Sequence, residues 1–521
     1  MKLIFVSAVL FGLATHAGSD ERRKSYPELF ELSMRAQSTQ PEFAAGTLLR
    51  VAASEKIADR GWKIELVEEA FRLAGAARNA VRARTVHPEQ VLMHGFGNGL
   101  DRLTLESFAV RQMWTLDQKK ARGLFFQMRI PQLEKAQCAA ATISDPTEYY
   151  STLTLIANRT FDKDRRAQDD RLSFLMKVVG SVQSAVELSP LLASLSSMDL
   201  MPDHRRVLTS LIPGVLDRLN GDDQAFTFAM QDIDKQIALL EKSPGGGDPL
   251  LQAYRAYLVR FFTAARCSAQ SMTEDTQALV RGFNSRYVNA SHPSLAPIGE
   301  NETKPSKLIE AAKPAPVFSG AGAEEGKRQF MHLMFGDGSR SLNDGDKSKQ
   351  SWQDEFQIYF RAIPDSKPES GESAQNFFLR KSGMLSGAIT VVPAGTEREK
   401  TIGLYITYLS NDDMQRENFV VWLHEVEQIA TLTKSIRPAD HKHFLDALER
   451  SGHPVLSLYA MRAVAPSNPD MGKLVPTPRG DSSEPGPLLG LRIIPRFPSG
   501  ASRNGRLDSS ANHVRNLGEP C

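Results

Sequence analysis

The sequence predicts an all-α fold of stacked helical hairpins, in a solenoid-like or bundle-like array. Between Tyr26 and Tyr287 apolar residues recur three and four positions apart, the spacing of one buried stripe per helix. Glycine, proline and small polar residues separate these stripes, and no long alternating strand pattern interrupts them. We expect helix pairs of about 30–45 residues, the size of the units in helical solenoids.

Two hairpins are predicted first along the chain. One spans Pro41 to Val81 and turns at Asp59-Arg60-Gly61, a polar break between two apolar stripes. The other spans Leu100 to Gln127. The core-facing residues expected in these hairpins are Phe43, Leu48, Leu49, Val51, Ile64, Leu66, Val67, Phe71, Leu103, Leu105, Phe108, Met113, Leu124, Phe125 and Met128.

Capping residues mark several helix starts. Asp145-Pro146-Thr147-Glu148 places an N-cap acceptor, a proline and a capping-box glutamate in order. Asp248-Pro249 repeats the cap and the proline, and Ser271 with Glu274 and Thr396 with Glu399 predict two further capping boxes. Between these starts, steps of four and three predict one core-facing helix through Phe226, Met230, Ile233, Ile237 and Leu240.

Helical spacing resumes after a stretch rich in proline and glycine. The last predicted helix runs from Pro454 to Val464. The apolar stripes before it are formed by Trp352, Phe356, Tyr359 and Phe360, by Phe378, Leu385, Ile389 and Val392, by Ile402, Tyr405, Ile406 and Leu409, and by Phe419, Trp422, Leu423, Val426 and Ile429.

These signals predict five segments. Residues 1–17 are read as a secretory leader and 26–290 as an N-terminal helical domain. A linker, 291–327, loses the helical period and is rich in proline and glycine. A C-terminal helical domain follows over 328–465. The tail, 466–521, has no periodic apolar face with which to offset its ordering entropy, so we expect it to be disordered.

The predicted leader indicates where the protein is located. A cationic start, an apolar run from Leu3 to Ala14 and small residues up to Ala17 are typical of a secretory signal peptide. The run is shorter than the roughly 20 apolar residues of a membrane-spanning helix. We expect cleavage after Ala17, export to the periplasm or the extracellular space, and no membrane anchor.

Composition narrows the classes of partner. Hydrophobic residues make up 41% of the chain and charged residues 24%, which is typical of a globular protein with real cores. The formal net charge is only +2, so the sequence does not favour nucleic acid as a partner. Another extracytoplasmic protein is the expected partner, and no cofactor motif is found.

The cysteines allow one disulfide. The three cysteines are Cys138, Cys267 and Cys521, too few for a disulfide-framed mini-domain. Cys138 and Cys267 lie in similar positions near predicted helix ends and form the candidate pair. The alternative is two buried thiols that never meet, and Cys521 is expected to be a free thiol.

One stretch invites a metal or catalytic interpretation. His424-Glu425 resembles the start of a helical zinc-protease motif, but Gln428 stands where the second histidine should be. His441 and His443 follow about one helix later and could complete a site. The stripe through Trp422 predicts, however, that His424 lies on a solvated helix face, so surface histidines are the simpler interpretation.

Other catalytic motifs fail on spacing. His94 to Gly99 is glycine-dense but follows a predicted helix end, so a turn explains it better than a phosphate cradle. The stretch Gly322 to Arg328 is one residue short of a P-loop and lacks its hydroxyl. Gly383 to Gly387 has one residue too many for a nucleophile elbow.

The hairpins from Pro41 to Val81 and from Leu100 to Gln127 resemble tetratricopeptide or HEAT-type repeats in their architecture. They lack the aromatic, glycine and proline positions of a tetratricopeptide repeat. The whole chain also resembles uncharacterised exported helical proteins of bacteria, a resemblance that implies no activity.

Three functional classes follow from these observations. The leading hypothesis is an exported non-enzymatic protein whose stacked hairpins offer a scaffold surface to another protein. The alternative is a periplasmic hydrolase or metal-dependent enzyme of all-helical architecture, using Glu425 with His424, His441 and His443. A third class, a carbohydrate- or small-molecule-binding module, receives no special support from an aromatic content of 8%.

Overall fold

A computed structural model confirms the all-α prediction. The leader, the second half of the predicted linker (310–327) and the tail lie outside the described residues. The structure describes residues 20–85, 99–129, 131, 133, 135–136, 142–161, 165–267, 270–309, 367–368, 372–392 and 395–464.

Both hairpins predicted near the N-terminus are present. The helices up to residue 287 are α1 (Pro27–Ala36), α2 (Pro41–Ala53), α3 (Arg60–Ala74), α4 (Arg102–Leu116), α5 (Gln118–Phe125), α6 (Thr147–Thr160), α7 (Arg165–Gly180), α8 (Ala185–Ser197), α9 (Pro202–Arg218), α10 (Ala225–Glu241), α11 (Asp248–Thr263) and α12 (Gln270–Tyr287). Helices α2 and α3 form the first predicted hairpin, and α4 and α5 form the second.

From α4 onward the helices stack in two layers. Helices α4, α6, α8, α10 and α12 contact one another in that order, and α7, α9 and α11 form the second row. The first-row helices begin at residues 102, 147, 185, 225 and 270, so their starts lie 38 to 45 residues apart. This period is close to the repeat of about 40–47 residues in HEAT-type arrays, and the stacked architecture is compatible with a helical repeat.

Two short β-ladders join the connections between helices. Strand β1 (Ala83–Thr85) pairs antiparallel with β2 (Thr142–Ser144), which lies just before α6. Strand β3 (Arg266–Cys267), just before α12, pairs in parallel with β4 (Leu308–Ile309). Residues 291–309, the first part of the predicted linker, bind the array through Arg255, which donates to the carbonyls of Ala296 and Pro297.

The remaining helices form a bundle that contacts the start of the array. Phe43 of α2 and Phe419 make an edge-to-face ring contact at 6.1 Å, and Arg35 of α1 donates to Ser457. The predicted domain boundaries stay a prediction, but the two helical parts share this interface. The bundle helices are α13 (Ala374–Val391), α14 (Thr396–Asn411), α15 (Met414–Glu417), α16 (Phe419–Ile436), α17 (Pro438–Arg450) and α18 (Pro454–Val464).

The predicted apolar stripes form the core wherever the structure describes them. The stripe of α10 is buried from Phe226 to Leu240, as are the predicted stripes of α13, α14 and α16. Ile64, Phe71 and Phe108 are only partly buried at the edge of this core. The stripe from Trp352 to Phe360 lies outside the described residues.

The helices begin close to the predicted residues, but the groups that cap their N-termini differ from the predicted ones. Pro146, and not Asp145, is the N-cap residue of α6; Asp145 accepts the backbone N–H of Thr147 at 3.2 Å, and Glu148 pairs with Arg111 and closes no capping box. Helices α11 and α14 instead begin after Gly247 and Gly395, which have φ of 85° and 109° and offer no side-chain cap. The Asp248 carboxylate turns away to accept from His292 and Ser294. The Ser271 side chain lies outside the described set.

The N-termini of the first-row helices meet at one edge, and Asp223 joins them. One oxygen of its buried carboxylate accepts from the Ser184 hydroxyl and the Ala185 N–H, at 2.7 and 3.0 Å. The other accepts from the N–H groups of Ala136 and Ala225, at 2.9 and 3.0 Å. One side chain therefore satisfies the start of α8, the start of α10 and the segment before β2.

Glu187 extends this edge toward α6. It forms a capping box with Ser184 at the start of α8 and accepts the Tyr150 hydroxyl of α6 at 3.2 Å. Burial raises the pKa of Glu187 to about 7, although the N–H groups of Gln183 and Ser184 and the Tyr150 hydroxyl oppose the shift. The sequence Ser184 to Glu187 carried the signature of a capping box, and our sequence analysis missed it.

We expect Asp223→Ala to destabilise the array strongly, because four donors lose a buried acceptor. The expected cost is about 3–5 kcal/mol. The matched control is Asp222→Ala, which removes a half-exposed ion pair with Lys135 and should cost less than about 1 kcal/mol. Urea unfolding followed by circular dichroism measures both, and equal midpoints for the two variants would contradict the role of Asp223.

Candidate functional site

The structure corrects the predicted environment of His424. His424 and Glu425 lie on α16 and are buried, with 3% and 6% of their surface exposed. The prediction of a solvated face was wrong because it assumed that α16 has one buried side. Helices α13, α15 and α17 all contact α16, which widens its buried arc beyond the Trp422 stripe. Gln428 does lie exposed.

Glu425 has a hydrogen-bond partner within the bundle. The hydroxyl of Tyr405 on α14 donates to its carboxylate at 2.8 Å. Burial raises the pKa of Glu425 to about 7, against the opposing effect of this hydrogen bond. The pair joins α14 to α16 through a polar contact inside an apolar core.

His441 and His443 lie on α17 and are partly buried. The Nδ1 atom of His441 lies 3.1 Å from the Thr433 hydroxyl, and burial with the nearby Lys434 charge lowers the pKa of His441. Within the described ranges, no group of three or more His, Cys, Asp or Glu side chains is arranged to hold a metal ion. Glu425 and His441 thus have separate protein partners.

Cys267 is disulfide-bonded. Both other cysteines, Cys138 and Cys521, lie outside the described residues, so the pairing stays a prediction. The surroundings favour Cys138: the Sγ of Cys267 lies 3.3 Å from Oε1 of Gln224, whose backbone N–H donates to the carbonyl of Ala136 at 3.0 Å. Ala136 is two residues from Cys138 along the chain.

An exposed cluster of aromatic rings around one arginine lies where α5, α6 and α7 meet. We call Arg122, Phe126, Phe161 and Phe174 the Arg122 patch. The guanidinium of Arg122 lies 5.7 Å from the ring centre of Phe126 and 5.4 Å from that of Phe161. Phe126 is 46% exposed, and its ring meets Phe174 edge-to-face at 5.2 Å.

A chain of ring contacts fixes the patch to the core. Phe174 contacts the buried Phe125 at 6.0 Å, and Phe125 stacks on Tyr149 at 5.9 Å. Tyr149 contacts Tyr150 edge-to-face at 5.3 Å, and Tyr150 donates to Glu187 at the array edge. Phe126 and Phe174 are therefore packed against buried neighbours and have less rotamer freedom to lose on binding than isolated surface rings.

The sequence carried only part of this signal. The apolar spacing correctly predicted that Phe125 faces the core, and Arg122 and Phe126 are four residues apart, but α5 ends at Phe125, so the sequence does not show that Phe126 lies beside Arg122. Phe161 and Phe174 come from other helices. Their approach depends on tertiary packing that spacing does not encode.

Comparisons with protein-family models, curated proteins and solved structures find no match to this chain. In the part of the chain that the structure describes, no helix has the length and apolar character needed to cross a bilayer. A functional proposal for this protein accordingly depends on the chemistry of its own residues.

The raised pKa values predict a pH-dependent stability. Between about pH 5 and 7 the folded state keeps the protons of Glu187 and Glu425 that the unfolded state, with ordinary values near 4.5, has released. Stability therefore falls as pH rises through this window, by about 1–3 kcal/mol for each group. Glu187→Gln should flatten the pH dependence of the urea midpoint.

The matched control for this experiment is Glu28→Gln, because Glu28 lies exposed on α1. This variant should follow the wild-type pH profile. A Glu187→Gln profile as steep as that of the wild type would contradict the prediction.

Non-reducing peptide mapping tests the cysteine pairing. We expect one linked peptide pair containing Cys138 and Cys267 and one free thiol, at Cys521, in the denatured protein. Closing a loop of about 130 residues should contribute roughly 4–5 kcal/mol in the chain-entropy model, so Cys138→Ser should lower the thermal midpoint. A linked Cys267–Cys521 peptide would overturn the assignment.

Proposed function

We propose that this chain is an exported, non-enzymatic helical protein that binds another extracytoplasmic protein through the Arg122 patch. The observation that carries the proposal is the contact of Arg122 with two rings, at 5.7 and 5.4 Å from their centres, of which Phe126 is nearly half exposed. Arginine and large aromatic side chains dominate the energetic centres of protein interfaces. The extracytoplasmic location in the proposal is inferred from the leader-like residues 1–17.

Two further observations support a binding surface. Neighbouring exposed apolar side chains tend to mark interaction sites, whereas single ones are common on any surface. The patch combines one such ring with Phe174 and Phe161, both partly exposed. The rigid attachment of the patch to the core lowers the entropic cost of binding.

The hydrolase alternative has less support. It needs Glu425, His424, His441 and His443 to converge on one substrate. Glu425 is instead bonded to Tyr405 inside the bundle, and His441 lies against Thr433. The binding proposal therefore explains more of the described side chains.

Site-specific photo-crosslinking tests the proposal. A photoreactive benzoylphenylalanine replaces Phe126 in the mature chain, which is then irradiated in extracytoplasmic extract of its host. The control carries the same group at Leu239, which is 52% exposed on α10. We expect one discrete adduct from position 126, at least fivefold more abundant than any adduct from position 239.

Competition makes the result specific. Unlabelled wild-type protein should remove the adduct, whereas unlabelled Arg122→Ala should not. Equal adducts from both positions, or equal competition by Arg122→Ala, would refute the proposal.

A further inference from the structure

We infer that the Arg122 patch recognises an acidic peptide segment in which carboxylates alternate with apolar side chains. This inference rests on the proposed function and adds the chemistry of the partner. A carboxylate of the segment would pair with Arg122, and an adjacent apolar side chain would lie on the exposed ring of Phe126. The guanidinium carbon of Arg122 lies 5.7 Å from the ring centre of Phe126, so one short segment can reach both side chains.

Charge on the α5 side of the patch is the first argument. Helix α5 carries Lys119, Lys120 and Arg122 and no carboxylate. Lys120 is paired with Glu68 at 2.7 Å, but neither Lys119 nor Arg122 has an ion pair with any described carboxylate. Both side chains are exposed, so α5 presents two cations that have no ion pair with a described carboxylate, one of them beside the rings.

Two further arginines flank the rings in the sequence. Arg159, two residues before Phe161, is exposed and forms no ion pair with a described carboxylate, whereas the exposed Arg129, three residues after Phe126, interacts with Glu106 and acts to lower the pKa of that carboxyl. Asp169 and Asp170 lie exposed on α7, five and four residues before Phe174, so among the described residues around the patch the cations without ion pairs lie mainly on the α5 side. An acidic ligand is therefore favoured on that side, and an apolar contact on the other.

The geometry of Arg122 explains why a carboxylate suits it. An arginine guanidinium offers paired N–H donors in one plane, which can bond a carboxylate in a bidentate manner. The contacts of Arg122 with the two rings, at 5.7 and 5.4 Å, restrict its rotamers before binding, so less side-chain entropy is lost than for an arginine without such neighbours. A lysine at this position would lack the paired planar donors.

Fluorescence anisotropy with defined probes tests this inference. The probe is a labelled nine-residue peptide of alternating glutamate and leucine, and its control has lysine in place of glutamate. At about 50 mM salt, where screening is weak, we expect the acidic peptide to bind the mature wild-type chain at least tenfold more tightly than the basic one. Arg122→Ala should weaken binding at least fivefold, and Arg122→Lys should restore only part of the loss.

The matched control variant is Arg281→Ala, which removes an exposed arginine of α12 far along the array from α5. It should bind the acidic peptide within twofold of the wild type. Equal affinity of Arg122→Ala and Arg281→Ala would overturn the inference, and so would tighter binding of an oligothymidylate of equal charge, which would indicate a nucleic-acid surface.

The two proposals can fail separately. A specific crosslink from position 126 without binding of the acidic peptide would leave the interaction surface intact and refute the partner chemistry. Loss of both the crosslink and the peptide binding would refute the proposed function itself.

Discussion

The array depends on how helix N-termini are accommodated at one edge. Helices α6, α8 and α10 begin side by side there, and each first turn brings N–H groups without intrahelical partners and the positive end of a helix dipole. Asp223 accepts from three separate segments at this edge. Since its carboxylate is shared, the start of α8 is fixed against the start of α10, and the stacking of the apolar stripes follows from that register.

Burial and hydrogen bonding act against each other at this edge. Glu187 accepts from two N–H groups and a hydroxyl, yet desolvation still raises its pKa to about 7. Asp101, the cap of α4, shows the same balance: burial raises its pKa to about 6 although it accepts the N–H of Thr104. The caps are needed to satisfy the helix ends, but their charges are costly, because stacking the helices excludes water from the edge.

The sequence predicted the elements better than their surroundings. The stripe of α10 and the bounds of the last helix followed from spacing, since each depends on one helix alone. Burial of His424 did not, because it depends on how many helices surround α16. The glycine starts of α11 and α14 were also missed: a nearby Asp248 or Thr396 resembles a cap, but the backbone before it adopts a positive φ that only the fold specifies. Spacing correctly placed Phe125 in the core but did not show that Phe161 and Phe174 lie near Phe126.

The edge and the exposed patch are parts of one structure. Tyr150 contacts Glu187 through its hydroxyl and Tyr149 through its ring, and the ring contacts continue through Phe125 to Phe174 and the surface. Aromatic residues suit this position because they bury large areas and restrict one another by edge-to-face packing. Arg122 completes the chain by placing a charge beside the ring of Phe126, whose rotamers are restricted by Phe125 and Phe174. Such restriction lowers the side-chain entropy that binding a partner would cost, compared with an arginine and a ring on an isolated helix.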